Sequence, residues 1–244
     1  MRAGQRAPAG TLTLADQEGG TVKAFPGLPP WLAASRYRSD RRARVDGAST
    51  GRALRAAGVG VDLAPVLDAA GGPLGTRHFR RPSLGVSFAR GLLEGGAGAC
   101  AKHFPGLGST AVSTDDRPHV DGVVRERELN GFRAAIRTGV PCVMIDNAFY
   151  RRFGPLRASL APRAYRLLRS LGFDGVAITD SLSIVEPTPA WWPAAAIRAG
   201  ADMVLFTNPR DASVAARTLV PLARRGELDE HVERVLAFRA RFVG

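Results

Sequence analysis

The stretch Gly98-Ala99-Cys100-Ala101-Lys102-His103-Phe104-Pro105-Gly106-Leu107-Gly108 decides the fold. Four small or apolar residues run straight into a Lys-His pair, and a Pro-Gly pair then stops the element. A short continuous apolar run is the pattern of a strand covered on both faces, and so of a parallel sheet. Besides Gly98–His103, the pattern recurs at Thr11–Ala15, Val59–Ala64, Pro141–Ile145, Gly175–Thr179 and Asp202–Thr207. Helical spacings lie between these runs. Ser49–Ala57 carries Ala53, Leu54 and Ala57. Arg125–Thr138 carries Leu129, Phe132, Ala135 and Ile136, and Pro162–Ser170 carries Ala164, Tyr165, Leu167 and Leu168. Pro193–Ala199 is short and alanine-rich. Strands alternating with helices predict an α/β fold. No internal repeat or linker divides the chain, so a single domain over residues 1–244 is expected.

Polar residues gather where these strands end. The pieces are Asp16-Gln17-Glu18-Gly19-Gly20, Ala64-Pro65-Val66-Leu67-Asp68, Lys102-His103, Asp146-Asn147 and Thr179-Asp180-Ser181. One Asp after a strand is commonly a turn or a helix cap. Polar groups at five strand ends instead match the way a parallel barrel builds its active face. The Phe25–Pro30 and Gly71–Ser83 stretches, rich in Pro and Gly, read as loops on the same rim.

The length of 244 residues fits the roughly 250 of an α/β barrel. The net charge of +12 comes from 34 basic and 22 acidic residues, and the only lysines are Lys23 and Lys102. Such a balance raises the class of nucleic-acid binders. The arginines, however, are scattered, with local density only at Arg36–Arg44 and Arg151–Arg169, and no recognised nucleic-acid motif accompanies them. A specific nucleic-acid partner is therefore not expected. Cys100 and Cys142 can form one bridge at most, and both sit in apolar runs, which reads as two buried reduced thiols. Four His and two Cys without close spacing give no metal-site pattern, and no cofactor is implied. No apolar run reaches the roughly 18–20 residues of a membrane span. No apolar stretch follows the first basic residues, so the expected location is cytoplasmic. Oligomeric state leaves no sign in the sequence.

Four motifs stand in order: Asp16-Gln17-Glu18-Gly19-Gly20, Ala64-Pro65-Val66-Leu67-Asp68, Lys102-His103-Phe104-Pro105-Gly106-Leu107-Gly108, and Gly172-Phe173-Asp174-Gly175-Val176-Ala177-Ile178-Thr179-Asp180. From about Leu12 to Asn208 the sequence resembles family 3 glycoside hydrolases, in the β-N-acetylhexosaminidase branch that acts on N-acetylglucosaminides of cell-wall fragments. The resemblance implies a (β/α)8 TIM-type barrel and a retaining mechanism on an N-acetylglucosamine-containing glycan or muropeptide. It places Asp180 on the family's catalytic nucleophile, a carboxylate that attacks the anomeric carbon. Asp16 falls on a residue that hydrogen-bonds sugar hydroxyls, Lys102 and His103 on a pair that holds the sugar, and Arg77 on a sugar-contacting arginine. Lys102 also stands out without the resemblance. In a chain that uses Arg almost everywhere, a lysine at a strand end points to a site needing a compact ammonium.

The sequence departs from the family pattern in three places. The branch takes its general acid/base from an Asp-Ser-His triplet in the loop after Lys-His-Phe-Pro-Gly, and here that triplet lands on Ser113-Thr114-Asp115. Three readings stay open. Asp115 or Asp116 serves as a carboxylic acid with a raised pKa; His119 swings in; or the acid/base is missing and the chain is a carbohydrate-binding relative with impaired catalysis. Second, Ala24 takes the place of an expected sugar-contacting arginine, with Lys23 beside it, and Ser109 follows the last Gly of the Lys-His motif. Third, only 15 residues precede Asp16, fewer than family members carry. Six strands against the eight of a closed barrel predict a barrel incomplete at its N-terminus, with the first strand–helix units missing and two sheet edges open. A truncated product, a late start at Met1 or completion by a partner would each account for that.

Overall fold

A computed structural model of the chain describes residue 8, residues 10–185 and residues 187–243. Six strands form one parallel sheet: β1 (Leu14–Ala15), β2 (Val61–Asp62), β3 (Gly98–Phe104), β4 (Cys142–Ile145), β5 (Val176–Ser181) and β6 (Met203–Leu205). They lie side by side in chain order. The register runs Leu14↔Val61, Val61↔Gly98, Cys100↔Cys142, Cys142↔Val176 and Ile178↔Met203. All six predicted strands are present, with shorter ladders at the outer ones. Among the described residues the outer edges of β1 and β6 have no strand partner. The sheet is a curled half-barrel, as the strand count predicts.

Side chains alternate along each strand, and both faces are covered. Ala99, Ala101, Val143, Ile145 and Ala177 belong to the large cluster that packs under the helices. Val61, Leu63, Cys100, Cys142, Met144, Val176 and Ile178 form a second cluster on the concave face. This double covering is why the strands read as continuous apolar runs. The next members of the concave series are Lys102 on β3 and Asp180 on β5, so the alternation itself carries them to the carboxyl edge of the sheet.

The helices are α1 (Asp40–Ala56), α2 (Pro82–Glu94), α3 (Glu126–Arg137), α4 (Pro162–Ser170), α5 (Trp192–Ala199), α6 (Pro209–Arg224) and α7 (Asp229–Phe242). Four were predicted, within one residue at each end except for the start of α1. That helix begins nine residues before Ser49, at an N-cap where Ser39 accepts from the Arg42 N–H. Its first five residues lie inside the Arg36–Arg44 charge cluster, which masks the apolar spacing. The helix α2 was read partly as loop because Gly85 and Gly91 dilute its pattern. The glycines are there for packing: a Cβ on Gly91 would lie 2.1 Å from the Arg44 carbonyl oxygen, so α1 and α2 touch backbone to backbone. The helix α7 brings Phe238 and Phe242 into the concave cluster.

The cysteines correct an expectation. Cys100 and Cys142 are not two reduced thiols but are joined as a disulfide across β3 and β4. They are register partners, both fully buried on the concave face. A sequence separation of 42 carries no sign of that pairing; only the strand register brings them together.

Candidate functional site

The turn after β1 sends Asp16 and Glu18 over the carboxyl edge, where the end of β3 delivers Lys102. The Lys102 Nζ lies 2.5 Å from Asp16 Oδ1 and 2.6 Å from Glu18 Oε1. Arg77 reaches the same Glu18 from the loop between β2 and α2, with Nε and Nη2 each donating at 2.9 Å. Lys102 and Glu18 are both almost wholly buried, whereas the Asp16 side chain is half exposed. Burial alone would push the Glu18 carboxyl up, but the Lys102 ammonium and then Arg77 hold it at about 2. Burial likewise opposes the charge on Lys102, and Glu18 and Asp16 more than offset it, leaving the ammonium harder to deprotonate than an ordinary lysine. Three of the sequence-predicted residues, Asp16, Arg77 and Lys102, thus form one network, in which Lys102 pairs with Asp16 and Glu18, a residue without an expected role, joins Lys102 to Arg77.

Asp62, at the end of β2, is fully buried beside this group. Its Oδ1 accepts from the Gln17 N–H at 3.0 Å, while Oδ2 has no partner. Lys102 and Arg77 pair with Asp16 and Glu18, and the Lys102 charge offsets the burial of Asp62 only in part. Burial therefore lifts its pKa to about 8. A carboxyl whose pKa is higher folded than unfolded binds its proton more tightly when folded. The folded state is then favoured below the unfolded value near 4 and loses stability as pH climbs towards 8. Asp62→Asn keeps the acceptor for Gln17 and removes that loss. We expect the variant to match the parent near pH 4 and to exceed it by about 1–3 kcal/mol at pH 9 in urea unfolding. Equal stability at both pH values would show that Asp62 is ionised at no cost.

His103 faces a different partner. Its Nδ1 is 2.7 Å from Asp68 Oδ2, which also accepts the His103 backbone N–H, and Asp68 Oδ1 accepts from the Leu107 N–H. A carboxylate bound to Nδ1 fixes the ring and leaves the far nitrogen for a ligand. The motif Ala64–Asp68 pointed at this loop without assigning Asp68 its task. Glu128 of α3 supports both loops: its Oε1 accepts from the Ala69 N–H, and its side chain fills the space beside Gly106 and Gly108.

Asp180 ends the concave series of β5 and accepts from the Ser181 N–H at 2.7 Å. Burial raises its pKa, His103 and Lys102 counter the rise, and the negative charge of Asp115 adds to it. Asn147, at the end of β4, braces this position by donating to the Ser181 carbonyl at 2.8 Å while accepting from Ser159 Oγ. The negative charge of Asp115 raises the pKa of both Asp180 and Arg77. Asp115 itself is exposed, in a turn where its N–H donates to Ser113 Oγ. His119 is exposed and stacked on Phe149, with ring centroids 4.2 Å apart. Lys23, next to the expected arginine position, donates to the Pro26 carbonyl and lies 4.4 Å over the Trp31 ring. Ser109 accepts from the Val123 N–H.

A curled parallel sheet that collects buried ion pairs, a carboxylate-bound histidine and a strand-end aspartate on its carboxyl edge is a site of the TIM-like (β/α) class. The chain belongs to glycosyl hydrolase family 3: the model described as "Glycosyl hydrolase family 3 N terminal domain" matches residues 2–238. It is 33% identical over 230 residues to a beta-hexosaminidase of Thioalkalivibrio sulfidiphilus, covering 81% of this chain and 65% of that protein. It is also 33% identical over 247 residues to a beta-hexosaminidase of Xanthomonas campestris, covering 87% of this chain and 74% of that protein. Among solved structures, the beta-N-acetylhexosaminidase from Beutenbergia cavernae superposes with a TM-score of 0.81 at 29% identity, over 94% of this chain and 78% of that one. The chain thus spans about two thirds to three quarters of the length of these relatives. No helix among the described residues is long and apolar enough to cross a membrane.

Proposed function

We propose that this chain hydrolyses terminal β-N-acetylglucosaminides of cell-wall glycans by a retaining mechanism, as six of the eight units of a (β/α)8 barrel. The supporting observation is the position of Asp180 at the carboxyl end of β5, on the face that carries Lys102 at the end of β3. The Asp180 carboxylate attacks the anomeric carbon and forms a glycosyl-enzyme as the bond to the leaving oxygen breaks. Asp115 gives its proton to that oxygen, then takes one from the water that hydrolyses the intermediate. Lys102, Asp16 and Arg77 bind sugar hydroxyls, and His103, held by Asp68, contacts the ring from the other side. Turnover of 4-nitrophenyl N-acetyl-β-glucosaminide tests the reading, and no turnover of any aryl glycoside would overturn it.

A second reading, a carbohydrate-binding relative with impaired catalysis, draws on the exposure of Asp115 and the stacked position of His119. Leaving-group dependence separates the two. Nitrophenolate needs little protonation, so Asp115→Asn is expected to keep its release within about tenfold. Release of phenol or of a second sugar falls by roughly 10²–10⁴-fold. Equal losses on all substrates would remove Asp115 from the role of acid.

A further inference from the structure

Arg157 lies outside every motif above. It follows the short Phe149–Tyr150 strand and is 7% exposed. Its guanidinium sits between two rings, 4.9 Å from the Phe149 centroid and 4.5 Å from that of Trp192. Its Nη1 donates to the Pro118 carbonyl at 3.2 Å and to the Asn147 carbonyl at 3.3 Å. The first of these closes the loop that carries Asp115, and the second belongs to the residue that braces the end of β5.

Two further contacts hold the same stretch of the loop. The Phe149 N–H donates to the Val120 carbonyl at 2.8 Å, and the His119 ring stacks on Phe149. All of them converge on Pro118–Val120. The turn at Asp115, by contrast, is closed only within itself, by the Asp115, Asp116 and Arg117 N–H groups on Ser113. Stems on both sides fix this turn relative to the sheet: before it Thr110 Oγ1 donates to the Val112 carbonyl at 3.0 Å, and after it come the contacts of Pro118–Val120. In the second stem, Arg157 supplies the contact that also reaches the Asn147 carbonyl at the end of β4.

We infer that Arg157 is a positioning residue: it sets the Asp115 loop against the end of β5 through the Pro118 and Asn147 carbonyls. A planar guanidinium suits this task, because it stacks between two rings while donating in its own plane. The inference rests on the proposed function for its catalytic consequence, but not for its structural one.

Arg157→Met keeps the apolar stem between the rings and removes the donors. Hydrogen exchange in the segment 110–122 is expected to speed up at least about tenfold in this variant, with exchange in β3 and β5 unchanged. Hydrolysis of a phenyl or disaccharide substrate is expected to fall on the order of 10–100-fold more than that of the nitrophenyl one, because misplacing a proton donor hurts poor leaving groups most. Arg157→Lys, which keeps the charge without the stacked fork, is expected to show both effects more weakly. Unchanged exchange in 110–122 would overturn the inference whether or not the chain hydrolyses any glycoside. Faster exchange throughout both variants, or equal losses on all substrates, would reduce Arg157 to a residue of general stability. A parent protein without turnover would overturn the functional reading and leave the exchange result to decide on Arg157.

Discussion

Asp180→Asn is expected to lose at least about 10⁴-fold in kcat on 4-nitrophenyl N-acetyl-β-glucosaminide, because an amide cannot form the ester bond of a glycosyl-enzyme. A good leaving group leaves no room to blame a weak acid for the loss. The same variant is expected to fold at least as well as the parent. Burial raises the Asp180 pKa, so the ionised carboxylate is a cost to the folded chain near neutral pH, and the neutral amide removes it. Activity and stability should therefore move in opposite directions, which separates a nucleophile from a structural residue. The pH profile supplies an independent check. The nucleophile works ionised, so kcat/KM rises as pH passes its pKa, and the acid limb lies above the ordinary carboxylate range. Unchanged turnover in Asp180→Asn would take Asp180 out of the mechanism.

The fold was legible in the sequence where each strand is covered on both faces. The expected strands Gly98–His103 and Gly175–Thr179 match β3 and β5 because Gly98–Ala101 and Val176–Ile178 are small or apolar on both faces, and polar residues enter only at the carboxyl end of each run. The ladders are short on both sides of the sheet, with two residues in β1 and β2 and three in β6. The start of α1 and the helices α2, α6 and α7 escaped. The helix α2 puts glycines where α1 comes closest, and the start of α1 is crowded with arginines that face solvent.

The candidate site was legible one residue at a time but not as a network. Asp16, Arg77, Lys102 and His103 were named by motif, yet the group that joins Arg77 to Lys102 is Glu18 and the group that orients His103 is Asp68. Both lie inside quoted motifs. What hid their tasks is that pairs across 59 and 35 residues leave no spacing to read. Arg157 had still less to mark it: one arginine among many, distinguished only by burial between two rings. The disulfide was hidden for the same reason, since strand register and not sequence separation decides it.

Lys102→Met is the substitution with the largest expected effect on stability. The side chain is almost fully buried, and Met fills nearly the same volume, so the change isolates the charge. Its removal leaves Glu18 buried with Arg77 as its only remaining ion-pair partner among the described residues, and Asp16 with none. Breaking a buried pair by deleting one partner costs about 3–5 kcal/mol, because the other charge stays desolvated. The loss should depend on pH. In the parent, Glu18 titrates near 2, below its ordinary value, so it contributes stability that is present above about pH 4.5 and is lost as pH falls towards 2. Without Lys102 that contribution shrinks, and the gap between parent and variant should be wide at pH 7 and narrower at pH 4. Lys102→Arg is not expected to restore the parent, because a guanidinium fork has no space where a compact ammonium lies 2.5 and 2.6 Å from two carboxylates. Adding Glu18→Gln to Lys102→Met removes the stranded charge, so the double variant is expected to be less destabilised than the sum of the two singles by more than about 1 kcal/mol. Urea unfolding of the four proteins measures that coupling, and strict additivity would mean that Lys102 and Glu18 do not act as a pair.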